Sequence, residues 1–310
     1  SGSSMQDVIQ HTIAQIGTVL LGKESQIKLA LACLLSHGHL LIEDLPGMGK
    51  TTLSQALARV LGLTYSRIQF TSDLLPADIL GTSIFDKSSG EFNFMPGPIF
   101  NQLILADEIN RATPKSQSAL LEAMEEQQVT IEGATRPLPS PFFVIATQNP
   151  NNQGGTFALP ESQLDRFLMR IELGYPDPAA ERQLLKGEDR RHVLARLQPT
   201  FEIDQLVELQ NRCQQIKVSD ALLDYVQRLV LYTRQAPEFA YGLSPRGALA
   251  LLSCAKSWAL IDDRLYVVPE DVQAVLPSVV EHRLRETSDF SGHGAGGLTQ
   301  WLLSKVDIIG

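Results

Sequence analysis

The sequence predicts an α/β domain, with a parallel β-sheet between layers of helices, followed by a smaller all-α domain. Short apolar runs alternate with helical periods up to Gly174, which is typical of a parallel sheet covered on both faces. Beyond the turn at 174–178 only helical periods occur. The chain has 310 residues, of which 44% are hydrophobic, which is enough to build two domains.

The elements of the first domain follow from its apolar runs in chain order. Helical spacing over 23–36 ends at Gly38, and an apolar strand follows at 39–43. A second helix is predicted over 50–61 and ends at Gly62. The further strands are predicted at 65–70, 102–107, 142–148 and 167–173, with a helix at about 114–127 between the third strand and the fourth.

Two stretches interrupt the alternation of strands and helices. Residues 81–100 alternate around a Ser-Ser-Gly turn, and residues 129–138 alternate around Gly133, as β-hairpins do. We predict that both are hairpins inserted into the α/β domain. Surface loops with chance alternation are the alternative.

The second domain is predicted over 175–287, after an α/β domain over 5–174. Its helices are predicted at about 178–191, 203–216, 219–235, 245–262 and 269–286. Residues 288–310 form a Gly-rich tail, either a flexible link to a short helix that packs on the helical domain or a contact for a partner. Residues 1–4 precede Met5 and are typical of a cloning remnant, so they take no part in the fold prediction.

Charge and cysteine content disfavour several classes of protein. The chain has 26 Lys and Arg against 35 Asp and Glu, a net charge of −9, which is unfavourable for wrapping duplex nucleic acid. Its 3 cysteines are widely spaced and form neither a disulfide framework nor a zinc motif. No apolar run reaches the ~18–20 residues of a membrane span. We therefore expect a cytoplasmic protein without a membrane-spanning segment.

The clearest chemical signal is a glycine-rich turn between the first strand and the second helix. It reads Pro46, Gly47, Met48, Gly49, Lys50, Thr51, Thr52. Such a turn surrounds phosphate oxygens with backbone N–H groups, while Lys50 reaches the β- and γ-phosphates and the Thr51 hydroxyl binds Mg²⁺. The strict phosphate-loop pattern has Gly where Asp44 stands, but an Asp tolerates that turn. The stretch predicts binding of ATP or ADP with Mg²⁺.

Polar side chains follow two further predicted strands. Asp107 and Glu108 end an apolar run, and buried carboxylates are costly unless they meet a cation or water. We expect Asp107 to hold Mg²⁺, directly or through water, and Glu108 to polarise the attacking water. Asn149 ends the next strand, at the same edge of a parallel sheet, where it can position that water. A simple Asn-Pro turn is the alternative for Asn149.

Two arginines complete the candidate site. Arg166 lies just before the last predicted strand, and Arg246 opens a helix of the second domain. A guanidinium near the γ-phosphate stabilises the charge of the transition state, and one supplied by another subunit couples hydrolysis to assembly. Taken singly, each is equally well explained as a surface or ion-paired arginine.

Together these stretches resemble the AAA+ ATPases and, within them, the MoxR family. The resemblance extends from about Gly22 to about residue 285, and is carried by IEDLPGMGKTT, LADEINRATPKSQSALLEAMEEQQVTIEG, VIATQNP, LPESQLDRF and LSPRGA. It implies that residues 47–52 form Walker A and that Asp107 and Glu108 form Walker B. Asn149 is similar to the sensor 1 residue.

The same resemblance implies roles for both arginines. Arg166 is similar to the arginine finger, which acts on the nucleotide of the neighbouring subunit. Arg246 is similar to sensor 2, which contacts the γ-phosphate of its own subunit. The stretches 81–100 and 129–138 resemble the helix-2 and pre-sensor-1 hairpins, which commonly face the pore of a ring. The family further implies a homo-oligomeric ring, usually a hexamer, chaperone-like work on a protein client, and a partner with a von Willebrand factor A domain.

The resulting hypothesis is an ATPase that hydrolyses Mg-ATP at subunit interfaces and remodels or matures a partner protein. Three alternatives stay open. A nucleic-acid motor is disfavoured by the acidic charge. A chelatase-like motor subunit shares most of the motifs, and a non-hydrolysing scaffold is disfavoured because the hydrolytic residues are all present.

Overall fold

The computed structural model describes residues 2–43, 49–149, 155–187, 190–286 and 297–310. Its helices are α1 (Gly2–Gly17), α2 (Glu24–Leu35), α3 (Lys50–Val60), α4 (Pro76–Leu80), α5 (Pro114–Glu126), α6 (Glu161–Leu164), α7 (Pro178–Lys186), α8 (Arg190–Arg196), α9 (Ile203–Gln214), α10 (Asp220–Gln235), α11 (Pro245–Ile261), α12 (Pro269–Val280) and α13 (Gly297–Lys305), with a 3₁₀ turn at Ile109–Arg111. Its strands are β1 (Leu40–Glu43), β2 (Tyr65–Gln69), β3 (Gly81–Asp86), β4 (Glu91–Pro96), β5 (Leu103–Asp107), β6 (Gln128–Ile131), β7 (Ala134–Pro137), β8 (Phe143–Gln148), β9 (Met169–Ile171), β10 (Phe239–Tyr241) and β11 (Arg285–Glu286).

The main sheet has five parallel strands in the order β2-β5-β8-β1-β9. Its alternate residues face two different layers, because side chains of a strand point to opposite faces. In β5, Leu103 and Leu105 pack with α1, α2 and α3, whereas Ile104 and Ala106 pack with α5. The predicted parallel sheet between helices is therefore confirmed.

The strand order brings the ends of three predicted strands together. β5, β8 and β1 lie side by side in the middle of the sheet, with Ala106 opposite Ala146 and Glu43 opposite Gln148. All three run in the same direction, so the loops that follow them meet at one edge. We call this the carboxyl edge, and the opposite edge, where the strands begin, the amino edge.

Two antiparallel hairpins project from this domain. β3 pairs with β4, and β6 pairs with β7. The two hairpins contact each other, since the Arg136 guanidinium lies 3.8 Å from the centre of the Phe94 ring. Four large apolar side chains of the β3–β4 hairpin are at least half exposed: Ile84, Phe85, Phe92 and Met95.

The region after residue 174 is helical, in agreement with the prediction, apart from a short ribbon. α11 packs against α12, α9 and α2, so its core continues that of one face of the sheet. The predicted helix over 269–286 ends at Val280, because the chain turns there and β11 pairs with β10. The predicted helix over 178–191 is interrupted at Gly187. No sequence pattern at 239–241 predicts the ribbon.

Helices at the two ends of the chain pack on this framework. α1, which was not predicted, buries Ile9, Ile13 and Ile16 against α2, α3 and α11. The spacing of these three isoleucines along the chain is typical of one face of an amphipathic helix, so the sequence contained enough information to predict α1. α13 buries Leu298 and Leu302 and packs on α10 and α12. The link predicted before α13 lies outside the described residues. Over the described ranges, no helix is both long and apolar enough to cross a bilayer.

Gly38 permits a close approach between the start of β1 and Leu168. A Cβ placed on Gly38 would lie 2.2 Å from Leu168 Cδ2 and 2.4 Å from Leu168 Cβ. We expect Gly38→Ala to lower the free energy of unfolding by about 1–3 kcal/mol, because Leu168 must move. Urea denaturation followed by circular dichroism measures this loss. Gly17→Ala is the matched control, since a Cβ there meets nothing within 4 Å; equal losses in both variants would contradict the explanation.

Candidate active site

The residue after the glycine-rich turn opens a helix at the carboxyl edge. α3 begins at Lys50, whose side chain is buried, and Gly49 before it has a left-handed φ of 82°. Thr51 and Thr52 are half-buried in the first turn of α3. The free N–H groups and the dipole of this turn favour an anion. Three predicted residues of the turn lie outside the described residues: Pro46, Gly47 and Met48.

Asp107 ends β5 with its carboxylate oriented by two donors. Its Oδ1 accepts a hydrogen bond from Thr147 Oγ1 at 2.7 Å, and its Oδ2 contacts Arg67 Nη2 at 2.5 Å. Thr147 reaches it because β8 lies beside β5, and Arg67 reaches it from β2. Asp107 is only 8% exposed. These two contacts offset the cost of burying the carboxylate.

Glu108 has a backbone conformation that is rare for its type. Its φ is 55°, in the left-handed region, which is uncommon outside glycine and concentrated at functional sites. Its N–H donates to Thr147 Oγ1 at 2.8 Å, and its Oε2 pairs with Arg111 Nε at 2.7 Å. The Thr147 hydroxyl therefore donates to Asp107 and accepts from Glu108, and it orients both acidic residues.

Asn149 follows β8, beside these acids at the carboxyl edge. Its carbonyl oxygen accepts from Asn110 Nδ2 at 3.4 Å, and the Asn110 backbone oxygen accepts from the Phe157 N–H. The fold therefore collects Lys50, Asp107, Glu108 and Asn149 at the ends of three adjacent strands.

These residues fit the predicted Mg²⁺ and phosphate. Thr51 offers a hydroxyl oxygen and Asp107 a carboxylate oxygen, the hard donors that Mg²⁺ prefers. Mg²⁺ is commonly held by one or two carboxylates together with substrate phosphates rather than by an all-protein cage. Within the described ranges, no group of three or more His, Cys, Asp or Glu residues could hold a metal ion.

The two predicted arginines lie at the amino edge. Arg166 Nη1 is 3.1 Å from Glu125 Oε2, and Arg246 Nη1 is 3.6 Å from Glu125 Oε1. Glu125 lies at the end of α5, and Arg166 lies just before β9. Both line a cavity of about 360 Å³, which His39, just before β1, also lines. Lys50 follows the other end of β1. At about 3.3 Å per residue, the two ends of this four-residue strand are about 10 Å apart.

This placement bears on one expectation. The family resemblance implies that Arg246 contacts the γ-phosphate of its own subunit, and in the structure α11 begins at the amino edge, where Arg246 lies beside Glu125 and Asp165. The physical reason is the packing of the helical region: Arg246 Nε lies 3.7 Å from Asp165 Oδ2, in the turn before β9. The local pattern of 243–248 contains no information about this packing.

A neutral histidine lies beside the arginines. His282 is 6% exposed, and its Nε2 donates to the Phe167 oxygen at 2.7 Å. Burial, together with the positive charge of Arg283, lowers the pKa of His282 to about 3. At neutral pH the imidazole therefore adds no charge to the cluster of arginines and carboxylates.

Sequence reasoning missed five residues that orient the candidate site: Thr147, Arg67, Asn110, Glu125 and Asp165. Only Thr147 had a readable signal, since a buried polar residue near the end of a core strand requires a partner. Arg67, Glu125 and Asp165 are charged residues whose partners lie far away in the chain, so only the fold reveals them.

Comparisons with known proteins agree with this architecture. A family model for the ATPase family associated with various cellular activities (AAA) matches residues 39–169, and a model for the AAA lid domain matches residues 231–296. YeaC of Bacillus subtilis is 42% identical over 306 residues, which cover 98% of this chain and 96% of YeaC.

Two further proteins are similar over most of their length. The chaperone MoxR1 of Mycobacterium tuberculosis is 43% identical over 290 residues, which cover 91% of this chain and 76% of MoxR1. A crystal structure from Cytophaga hutchinsonii, provisionally named an ATPase, superposes with a TM-score of 0.88 at 36% identity and covers 99% of this chain and 96% of its own. With its glycine-rich turn, paired acids and lid, the chain belongs to the MoxR family of AAA+ ATPases.

Proposed function

We propose that this ATPase hydrolyses Mg-ATP at the interfaces of a homo-oligomeric ring, where the carboxyl edge of one subunit faces the amino edge of the next. The separation of the two residue sets carries the proposal. Lys50 and the acids lie at one edge, and Arg166 and Arg246 lie at the other. With the two sets at opposite ends of the strands, a head-to-tail contact between two chains brings both to one phosphate.

The carboxyl edge binds the nucleotide and activates water. Lys50 contacts the β- and γ-phosphates, and Thr51 and Asp107 hold Mg²⁺. When bound, Mg²⁺ offsets the charge of the phosphate oxygens. Glu108 polarises the attacking water, and Asn149 positions it.

The amino edge of the neighbouring subunit completes the site. Arg166 and Arg246 place two guanidinium groups near the γ-phosphate, where they neutralise the charge that develops during transfer to water. Hydrolysis then depends on assembly, because an isolated subunit lacks these groups at its own nucleotide.

The rest of the molecule supports work on a protein. We take residues 5–174 as the nucleotide-binding core, with hairpin inserts at 81–100 and 129–138, and 175–287 as the lid. The exposed apolar side chains of the β3–β4 hairpin suit contact with a protein client. The name of MoxR1, a chaperone, supports remodelling or maturation of such a client. A ring of six, a partner with a von Willebrand factor A domain and a cytoplasmic location follow from the family resemblance.

Mixing of inactive variants tests the shared site. We expect Arg246→Ala and Glu108→Gln each to lose turnover alone, and a 1:1 mixture to recover about a quarter of wild-type activity, since about a quarter of its interfaces pair an intact carboxyl edge with an intact amino edge. Phosphate release measures the recovery.

A second mixture is the matched control. Arg246→Ala and Arg166→Ala both damage the amino edge, so their mixture is expected to stay inactive. If Arg246 instead acts within its own subunit, the two mixtures give the reverse pattern: the first stays inactive and the second recovers. That pattern would overturn the proposed arrangement.

A further inference from the structure

We propose that Glu125 is a positioning residue that holds Arg166 and Arg246 side by side for the nucleotide of the neighbouring subunit. This inference rests on the proposed function and extends it. Each carboxylate oxygen serves one guanidinium: Oε2 lies 3.1 Å from Arg166 Nη1, and Oε1 lies 3.6 Å from Arg246 Nη1.

Glu125 itself is held in a fixed turn. It lies in the last turn of α5, and Gln127 after the helix has a left-handed φ of 56° with its N–H bonded to the Ala123 oxygen at 2.9 Å. α5 is anchored in the core by Leu120, Leu121 and Met124. The carboxylate therefore projects from a rigid part of the α/β domain toward an arginine of that domain and an arginine of the helical region.

A second carboxylate fixes Arg246 from the other side. Asp165 Oδ2 lies 3.7 Å from Arg246 Nε, and Asp165 Oδ1 lies 2.7 Å from Arg283 Nε. Arg283 has a side chain only 6% exposed and also donates to the backbone oxygens of Phe167, Leu168 and Val279. The charges alternate in sign from buried Arg283 through Asp165, Arg246 and Glu125 to Arg166.

The physical role of this alternation is to keep two like charges together. Without the shared carboxylate the guanidinium groups of Arg166 and Arg246 repel each other, and each is free to adopt other rotamers. Ion pairs as exposed as these contribute little to stability: the side chains of Glu125 and Arg246 are 41% and 58% exposed. We therefore place the role of Glu125 in turnover rather than in folding.

The first test is the kinetics of Glu125→Gln. We expect kcat to fall at least about tenfold, since small misplacements of charge-stabilising groups cost this much or more. The KM for ATP and the unfolding midpoint are expected to match the wild type, because the carboxyl edge is intact. Glu126→Gln makes the same change in charge one residue along α5 and is the matched control, expected to retain wild-type kcat.

Subunit mixing separates positioning from structural damage. In a 1:1 mixture of Glu125→Gln with Glu108→Gln, we expect an activity per subunit about three times that of Glu125→Gln alone. Half of the subunits in this mixture cannot hydrolyse ATP, but intact amino edges now meet the nucleotide sites of the Glu125→Gln subunits. Mixed with Arg166→Ala, which damages the same edge, the Glu125→Gln protein is expected to lose about half of its activity.

The outcomes distinguish the two proposals. If Arg166→Ala hydrolyses ATP normally, the shared site itself is wrong. Suppose instead that Arg166→Ala is inactive. The positioning role of Glu125 alone is then wrong if Glu125→Gln keeps the wild-type kcat, if its KM for ATP rises by as large a factor as its kcat falls, or if its unfolding midpoint is clearly lowered.

Discussion

Glu108→Gln is expected to bind ATP as tightly as the wild type while its turnover falls by about 10²–10⁴-fold, the range attributed to a general base. The amide keeps the size of the side chain but does not accept a proton from water. The phosphate contacts come from Lys50 and the start of α3, which this change leaves alone. Titration with a fluorescent ATP analogue and a phosphate-release assay measure binding and turnover separately.

The ion pair of Glu108 requires its own control. Glu108→Gln also removes the partner of Arg111, which lies 2.7 Å away. Arg111→Gln breaks the same pair but keeps the carboxylate, and we expect its turnover to stay within about fivefold of the wild type, in line with the small energy of exposed ion pairs. If Arg111→Gln loses as much turnover as Glu108→Gln, the loss comes from the ion pair and not from the base.

Arg166→Ala is expected to lower turnover by about 10³–10⁵-fold with ATP binding unchanged, as the loss of an arginine finger does. The reason is location: Arg166 lies at the amino edge, away from the nucleotide of its own chain, so only the transition state at a neighbouring site loses a charge partner. Single-turnover phosphate release and nucleotide titration on the same preparation measure this split.

Arg212→Ala is the matched control for Arg166→Ala. Arg212 pairs with Glu208 on the surface of α9, one helical turn away, and such pairs contribute little. We expect that variant to turn over as the wild type does. Weaker ATP binding in Arg166→Ala, in parallel with its loss of turnover, would show that the residue serves its own nucleotide site.

Much of the sheet was readable from local patterns. The strands β1, β5 and β8 are short, apolar and followed by polar residues, and their predicted bounds differ from the structure by a residue at one end. Such strands are recognised as short continuous apolar runs, because both of their faces are buried. The ribbon of β10 and β11 was not predicted, because strands of two or three residues are too short to show the alternation of apolar and polar residues.

The carboxyl edge was predictable for a topological reason. Asp107 ends a strand, Lys50 and Asn149 come after strands, and in a parallel sheet every strand ends at the same edge. The sequence alone therefore predicts that these residues meet, whatever the details of packing. The hydrogen bonds of Thr147 to both acids required the strand order, since β8 is adjacent to β5 only after the fold is complete.

The amino edge depended on the tertiary structure. The sequence by itself determined that Arg166 precedes a strand and that Arg246 opens a helix, but it did not determine which side chains Arg246 meets. Only the packing of α11 against the turn before β9 brought Arg246 to Glu125 and Asp165. The physical reason is range: strand direction is a local property of the chain, whereas the docking of one helix on a distant turn is decided by side chains far apart in sequence.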